Sequence, residues 1–219
     1  MICSKVLTSS DQSLNDNDNS HSQDVSYLAI QQHASDCAVH FITSSFDNSV
    51  IKWEWNQGEQ KIIYRNRIVN AHHDDILCIE LAPNNKYFVT TCYDTTIRKW
   101  DTIFNPQQMP ILTFTDFTGN EKGLKHLAAV SRCAVSKDSS FMISVSLDKS
   151  AIIWDCKEMN RTSLLRKLPN LHSKGITSVE ISIDMTWFVT TAKAREVKLW
   201  NVAPGNEETT VKGHKDEEV

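Results

Sequence analysis

The chain has 219 residues, 40% hydrophobic and 23% charged, enough apolar material for a substantial core of ordinary globular kind. A net charge of −4 gives no electrostatic case for nucleic acid or a membrane surface. No apolar run approaches the ~18 residues that a membrane-spanning helix needs.

Residues 1–26 are rich in Ser, Asn, Asp and Gln, a composition that buries too little apolar surface to offset the entropy of ordering. They are expected to form a disordered polar tail, and Met1 to Leu7 is too short and too polar for a signal peptide. From Tyr27 the pattern changes to short alternating runs. Strands are predicted near 27–32, 39–45 and 49–55, with Lys61 to Val69 as a fourth. His33, Cys37 and His40 offer three zinc donors, but a fourth is missing nearby and His40 stands where later repeats carry core aromatics. From His72 to Thr102 a strand runs to a Pro83-Asn84-Asn85 turn, and Lys86 to Cys92 forms the next strand. The interval after Thr102 is the longest, with a predicted strand from Pro110 to Phe117 and a polar loop around Gly119 to Gly123. His126 to Cys156 and His172 to Val202 repeat the pattern. A short outer strand at Thr209 to Lys212 then leads into Gly213-His214. Six cysteines (Cys3, Cys37, Cys78, Cys92, Cys133, Cys156) form no CxxC pair. Several fall on strand positions, so they are expected to be reduced core residues of an intracellular protein, cytoplasmic or nuclear.

Four stretches repeat one design: a strand, a tight turn and a second strand ending in Trp53, Trp100, Trp154 or Trp200, at intervals of 47, 54 and 46 residues. Six residues before each Trp stand Asp47, Asp94, Asp148 and then Ala194. Four residues earlier come Thr43, Thr90, Ser144 and Thr190. Twenty-two residues before the acid column come His72, His126 and His172, and the first repeat has no His at that spacing. A His, a hydroxyl, a carboxylate and an indole N–H can satisfy one another inside a sheet. An unpaired buried polar group costs about 1–3 kcal/mol, so such a set tends to occur whole.

These columns resemble the WD-repeat β-propeller family, whose blades carry a Gly-His near the start and a Trp-Asp at the end. The resemblance runs from about Tyr27 to His214. It implies an all-β fold of four-stranded blades at 27–70, 71–115, 116–168 and 169–212, with 213–219 beginning a further repeat. Propellers of this family usually close with about seven blades, within a general range of 4–8. Four blades therefore lead us to expect a partial propeller with open edges, capable of self-association. The implied structural tetrads are His72–Thr90–Asp94–Trp100 and His126–Ser144–Asp148–Trp154. Without a carboxylate at Ala194, His172 and Thr190 are expected to lose their shared acceptor.

By the same resemblance, the residue before each turn acid (Phe46, Tyr93, Leu147, Lys193) faces one rim of the central channel. So do the residues three and five after each repeat His: Asp75, Leu77, Ala129, Ser131, Gly175 and Thr177. The implied function is a non-enzymatic scaffold or adaptor binding proteins or peptides, with no cofactor, metal, nucleic acid or membrane. The Trp154-Asp155-Cys156-Lys157 ending resembles that of propellers serving as substrate receptors of cullin-RING ubiquitin ligases, an alternative role. A hydrolase or metal enzyme is the remote reading. No GxSxG, P-loop, GxGxxG or HExxH is present, and His72-His73 beside Asp74-Asp75 is better explained by the tetrad.

Overall fold

A computed structural model describes residues 20–31, 39–103, 109–114, 125–160, 163–203 and 207–212. Its sixteen strands form four separate sheets, each an antiparallel meander in chain order. The first sheet holds β1 (Val25–Gln31), β2 (Val39–Ser45), β3 (Val50–Asn56) and β4 (Lys61–Ile68). The second holds β5 (Ile76–Leu81), β6 (Tyr87–Cys92), β7 (Ile97–Asp101) and β8 (Leu112–Thr113). The third holds β9 (Val130–Val135), β10 (Phe141–Ser146), β11 (Ala151–Asp155) and β12 (Ser163–Leu168). The fourth holds β13 (Ile176–Ile181), β14 (Trp187–Ala192), β15 (Glu196–Asn201) and β16 (Glu207–Lys212). No helix occurs among the described residues. These four sheets are the expected blades.

Each blade buries both faces where it has two neighbours, and the sequence of β6 shows why. In YFVTTC every residue is buried. Tyr87, Val89 and Ile97 face blade 3 and join Val130, Met142, Ile152 and Trp154 in one core. On the other face Phe88 and Trp100 stack at 6.2 Å and join Ile42, Val50 and Ile68 of blade 1. A third core joins Ile143, Val145 and Ile153 of blade 3 to Ile176, Phe188 and Trp200 of blade 4. The rule is constant: the Trp face of a blade is covered by the opposite face of the blade before it. Two lysines reinforce it. Lys52 Nζ donates to the Thr102 carbonyl (3.3 Å). Lys99 Nζ donates to the Glu158 carbonyl (2.8 Å) while lying over the Tyr87 ring.

Tight turns link the second and third strands of every blade. Asn48, Thr95, Lys149 and Arg195 occupy the same step, with φ of 62°, 71°, 71° and 61°. The left-handed region costs a non-glycine residue roughly 1 kcal/mol or more. In three blades the preceding acid offsets this by accepting the amide two residues on, as Asp94 Oδ1 does from Thr96 N (2.9 Å).

The innermost strands follow one another as β1, β5, β9 and β13, and each contacts the next. Among the described residues the arc does not close. Two expectations change. The first strand begins at Val25, and Ser20 to Asp24 are bound to blade 1, so the tail predicted over 1–26 does not extend to its last residues; 1–19 lie outside the described residues. The strand predicted from Pro110 to Phe117 is only Leu112–Thr113, with 115–124 outside the described residues. His33, Cys37, Cys3 and Gly213-His214 also lie outside them. Cys78, Cys92, Cys133 and Cys156 are free and buried.

Candidate partner-binding rim and the tetrads beneath it

The tetrads come first, because they hold the loops of the rim. In blade 2, His72 Nε2 lies 2.6 Å from Thr90 Oγ1, and Trp100 Nε1 donates to the same oxygen at 2.8 Å. Asp94 faces His72 Nδ1 at 3.4 Å and accepts the His73 backbone amide at 3.1 Å. Blade 3 repeats this: His126 Nε2 to Ser144 at 2.8 Å, Trp154 Nε1 to Ser144 at 2.9 Å, and Leu127 N to Asp148 at 2.7 Å. His126 Nδ1 is 3.4 Å from Asp148. Burial holds the His72 and His126 imidazoles below their ordinary pKa, so both are neutral. A neutral ring facing a carboxylate with Nδ1 carries its proton there, which makes Nε2 the acceptor of the Thr or Ser hydroxyl. That hydroxyl in turn accepts from the indole. Hydrogen bonds from His and the neighbouring hydroxyl hold Asp94 and Asp148 well below the usual carboxylate range, outweighing the opposing effect of burial.

Blade 1 corrects the expectation of a missing histidine. His21 fills the place, with Nε2 2.8 Å from Thr43 Oγ1 and Nδ1 3.1 Å from Asp47 Oδ2, while Trp53 Nε1 donates to Thr43 at 2.8 Å. It lies 26 residues before Asp47 instead of 22, because longer first strands and their connection separate it from the turn. Arg67 adds an ion pair to Asp47 at 2.9 Å. Against the opposing effect of burial, hydrogen bonds from Ser49 and Ser22 lower the Asp47 carboxyl to about 2. Blade 4 corrects the expectation of a lost acceptor. Ala194 has no carboxylate, but Glu196 Oε2 stands 3.4 Å from His172 Nδ1. Trp200 Nε1 and His172 Nε2 still meet Thr190 Oγ1, at 2.8 and 2.7 Å.

A fifth column escaped the sequence reading. Ser49, Thr96 and Ser150 stand two residues after each acid, and their hydroxyls bond both to it and to the His Nδ1. The recurring Asp-x-Ser/Thr was the available signal, and Glu196 occupies this column in blade 4.

The composition of these sets invites comparison with a hydrolytic triad. Thr90, Ser144 and Thr190 are 0% exposed, however, and each hydroxyl is already engaged by both His and Trp, leaving no approach for a substrate. His72, Cys92 and Asp94 bring donor atoms within 4.8 Å of one another, as a metal would require. Burial pushes the Cys92 thiol well above its ordinary range, so it stays protonated and donates to the Asp74 carbonyl at 3.1 Å. Its sulfur also accepts Asp94 N. Ser45 and Ser146 make the same bonds in blades 1 and 3, so Cys92 is a serine equivalent here.

Above the tetrads, the residue before the acid column (before Ala194 in blade 4) anchors its amide on the loop leading into the inner strand. Phe46 N donates to Asp24 O, Tyr93 N to Asp75 O, Leu147 N to Ala129 O and Lys193 N to Gly175 O, all at 2.9–3.1 Å. The expected rim residues thus lie on one end of the arc, and Asp24 joins them. They are not equally available. Tyr93, Lys193 and Thr177 are exposed, whereas Phe46, Asp75, Leu77, Leu147 and Gly175 are half-buried. Ala129 is buried, and Ser131 spends its hydroxyl on Ile176 O (2.6 Å), tying blade 3 to blade 4. The contrast between Tyr93 and Leu147 has a local cause. A Cβ on Gly175 would lie 2.9 Å from Leu147 Cδ2 and 3.0 Å from its Cα, so Leu147 tucks in only because that residue is glycine. Blade 3 has Ala129 at this position, and Tyr93 stands 55% exposed.

The inner strands carry a further group that the sequence did not reveal. Arg132 of β9 donates to Tyr27 Oη of β1 and lies over its ring at 4.4 Å, bridging past blade 2. Glu80 of β5 shares this region with Arg132 and Glu180, and burial, reinforced by Glu180, pushes its carboxyl up to about 7.

Comparison with known proteins agrees with this geometry. A family model described as WD repeat-containing protein 75 second beta-propeller matches residues 40–172, and the WD domain, G-beta repeat matches 163–201. A guanine nucleotide-binding protein subunit beta of Solanum tuberosum is 32% identical over 77 residues, covering 35% of this chain and 20% of the relative. Apoptotic protease-activating factor 1 of Rattus norvegicus is 26% identical over 164 residues, covering 75% of this chain and 11% of the relative. The chain therefore spans only a small part of these relatives. With the repeated columns, the four-bladed arc and a family model covering more than half its length, the chain belongs to the WD-repeat β-propeller family.

Proposed function

We propose that this chain is a non-enzymatic scaffold that presents the Tyr93 rim of its blades to protein or peptide partners within a larger assembly. WD-repeat propellers are typically interaction scaffolds and generally non-catalytic. The observation that carries the proposal is Tyr93 itself. It is a large aromatic, mostly exposed, on a turn already held by Asp75 O, Cys92 and Asp94. An aromatic group on a pre-ordered turn loses little entropy on binding, and such residues are the usual anchors of interfaces, worth about 2 kcal/mol or more when truncated. Exposed Leu127 and half-buried Leu77 and Phe46 add apolar surface at the same end.

The test is to compare proteins retained from cell extract by the wild-type chain with those retained by Tyr93→Ala and Phe46→Ala, each paired with a melting curve. Loss of specific partners with stability within about 1 kcal/mol supports the rim. Unchanged binding would place the partner surface elsewhere. A narrower role as a cullin-RING substrate receptor draws on exposed Lys157, after Trp154-Asp155 at the other end of blade 3. It requires that Lys157→Ala lose a ligase adaptor while the Tyr93 rim still binds.

A further inference from the structure

The exposed charges of the rim are sorted by sign along the arc. In each blade the rim is built from the loop around the repeat histidine and from the turn after the second strand. In blades 1 and 2 these segments (20–24, 46–49, 71–75 and 93–96) hold no Lys or Arg, and their exposed charges are Asp24 and Asp74, with Asp75 half-buried. In blades 3 and 4 (125–129, 147–150, 171–175 and 193–196) the exposed charges are Lys125, Lys149, Lys174, Lys193 and Arg195. The acids there, Asp148 and Glu196, are half-buried against His126 and His172. None of the four lysines has an ion-pair partner among the described residues. Lys167 Nζ donates to the Lys125 carbonyl at 2.8 Å, bringing another cation to this side. In a chain of net charge −4, cations gathered without counter-charges repel one another, a cost that an acidic partner removes. Where the two signs meet, at blades 2 and 3, stand Tyr93 and Leu127, 55% and 70% exposed.

Ordered backbone carries this polarity. The Asp74 carbonyl accepts the Cys92 thiol at 3.1 Å, and the Asn48 side-chain amide of blade 1, in its donating orientation, reaches it at 2.8 Å. Ser131 joins blade 3 to the Ile176 carbonyl of blade 4 at 2.6 Å. The charges thus stand on loops that a ligand need not order. Blade 2 is covered on both faces and still exposes Tyr93 and Asp74, so the rim stays open whatever adjoins blades 1 and 4. We propose that the partner at this rim is an extended peptide segment of segregated charge. An apolar pair seats on Tyr93 and Leu127, the acidic side lies over the lysines of blades 3 and 4, and the basic side lies over Asp24, Asp74 and Asp75. This inference rests on the rim reading above and adds the partner's chemistry. Complementary potentials fix register and exclude wrong partners, so a change of sign in the middle of the rim selects one placement of the segment. A run of carboxylates fits the basic side better than one phosphate does. Its exposed cations sit on four separate loops and turns, and four of the five are lysines, point charges without the bidentate fork by which arginine grips a phosphate.

The experiment is fluorescence anisotropy of the full chain with labelled peptides built on one Trp-Leu pair. A block peptide carries lysines on one side of the pair and glutamates on the other, and is made in both chain directions. Its control has the same composition with the charges alternating. The expected result is that one of the block peptides binds at least tenfold more tightly than the control. That margin should shrink at least threefold as salt rises from about 0.1 M to 1 M, which shortens the reach of each charge from about 10 Å to 3 Å. It should also fall below threefold in Lys149→Gln with Lys174→Gln, and in Asp24→Asn with Asp74→Asn, substitutions that keep the backbone bonds of their loops. The comparison of peptides on the wild-type chain stands even where a variant folds poorly. Equal binding of block and alternating peptides, both lost in Tyr93→Ala, would overturn the charge pattern and leave the rim reading in place. Block-peptide binding that survives Tyr93→Ala would overturn the rim reading and this inference with it. An all-glutamate peptide or an oligothymidylate that binds as tightly as the block peptide would overturn it by marking a general anion surface. So would the absence of binding at about 0.5 mM protein, since a charge-matched and pre-ordered rim must hold such a segment more tightly than that.

Discussion

Replacing Asp94 by Ala tests whether the acid column acts as the structure indicates. Its carboxylate takes four bonds: His72 Nδ1, His73 N, Thr96 N and the Thr96 hydroxyl. The two amides lie near solvent and regain water, so their loss costs little. His72 is buried and keeps only the 2.9 Å contact to Thr96, whose own acceptor is gone. Thr95 meanwhile stays at φ 71° without the side-chain clamp that held the turn. A hydrogen bond to a charged group is worth about 1.5–3 kcal/mol, and a buried group left poorly paired costs about 1–3 kcal/mol. Partial overlap of these effects puts Asp94→Ala at roughly 2–4 kcal/mol. Glu196→Ala removes one contact of 3.4 Å from a partly exposed side chain, and should cost about 1 kcal/mol or less. Urea unfolding at pH 7, with slopes of about 1–3 kcal/mol/M, separates the two by roughly 1 M in midpoint. Installing Ala194→Asp together with Glu196→Thr rebuilds the blade 2 set and should raise the midpoint above wild type. If Glu196→Ala proves as damaging as Asp94→Ala, the bond count does not set the cost.

Three further outcomes follow from named groups. His21→Ala should destabilise by about 1–3 kcal/mol, with the loss concentrated in amide exchange of blade 1, because Thr43, Trp53 and Asp47 all meet at that ring. Glu80→Gln should stabilise the protein at pH 8 by roughly 1–2 kcal/mol and not at pH 4, as read from unfolding midpoints. The fold holds the Glu80 proton up to about 7 while the unfolded chain releases it from about 4.5, so wild-type stability from this group falls as pH rises between those values. The tetrads run the other way. Asp47, Asp94 and Asp148 are depressed in the fold, so their contribution is present above the ordinary value of 3.8 and is lost as pH falls below it. Gly175→Ala should cost about 1–3 kcal/mol by crowding the Leu147 backbone, and should leave the Tyr93 turn unchanged in its nuclear magnetic resonance shifts.

How far the sequence could be read depended on whether a residue kept its column. His72, Thr90, Asp94 and Trp100 recur at constant spacing because hairpins of constant length carry them, so the fold and two tetrads were legible. His21 serves the same role, yet its spacing to Asp47 is four residues longer, and a fixed-spacing search passes over it. Glu196 was missed for a different reason. Its longer side chain reaches His172 from a neighbouring column, a compensation that exists in space and not in the repeat. The Arg132 to Tyr27 contact spans 105 residues and depends on how sharply the inner strands curve, which no local pattern records.

The tetrad and the rim are mechanically connected, and this decides which variants can report on binding. Asp47, Asp94 and Asp148 each accept a backbone amide from the loop that follows the repeat histidine: Ser22, His73 and Leu127. Two residues further along those loops are Asp24, Asp75 and Ala129, whose carbonyls hold the amides of Phe46, Tyr93 and Leu147. One carboxylate therefore ties together both halves of its blade's rim: the loop it grips and the turn it sits in. Removing it would loosen the presenting loops and lower stability together, so a lost partner in Asp94→Ala does not locate the interface. Tyr93→Ala keeps the turn amide, its bond to Asp75 O and the whole tetrad, and deletes only the exposed ring. Binding lost in that variant alone belongs to the side chain, and it is the measurement that separates a contact surface from the framework holding it.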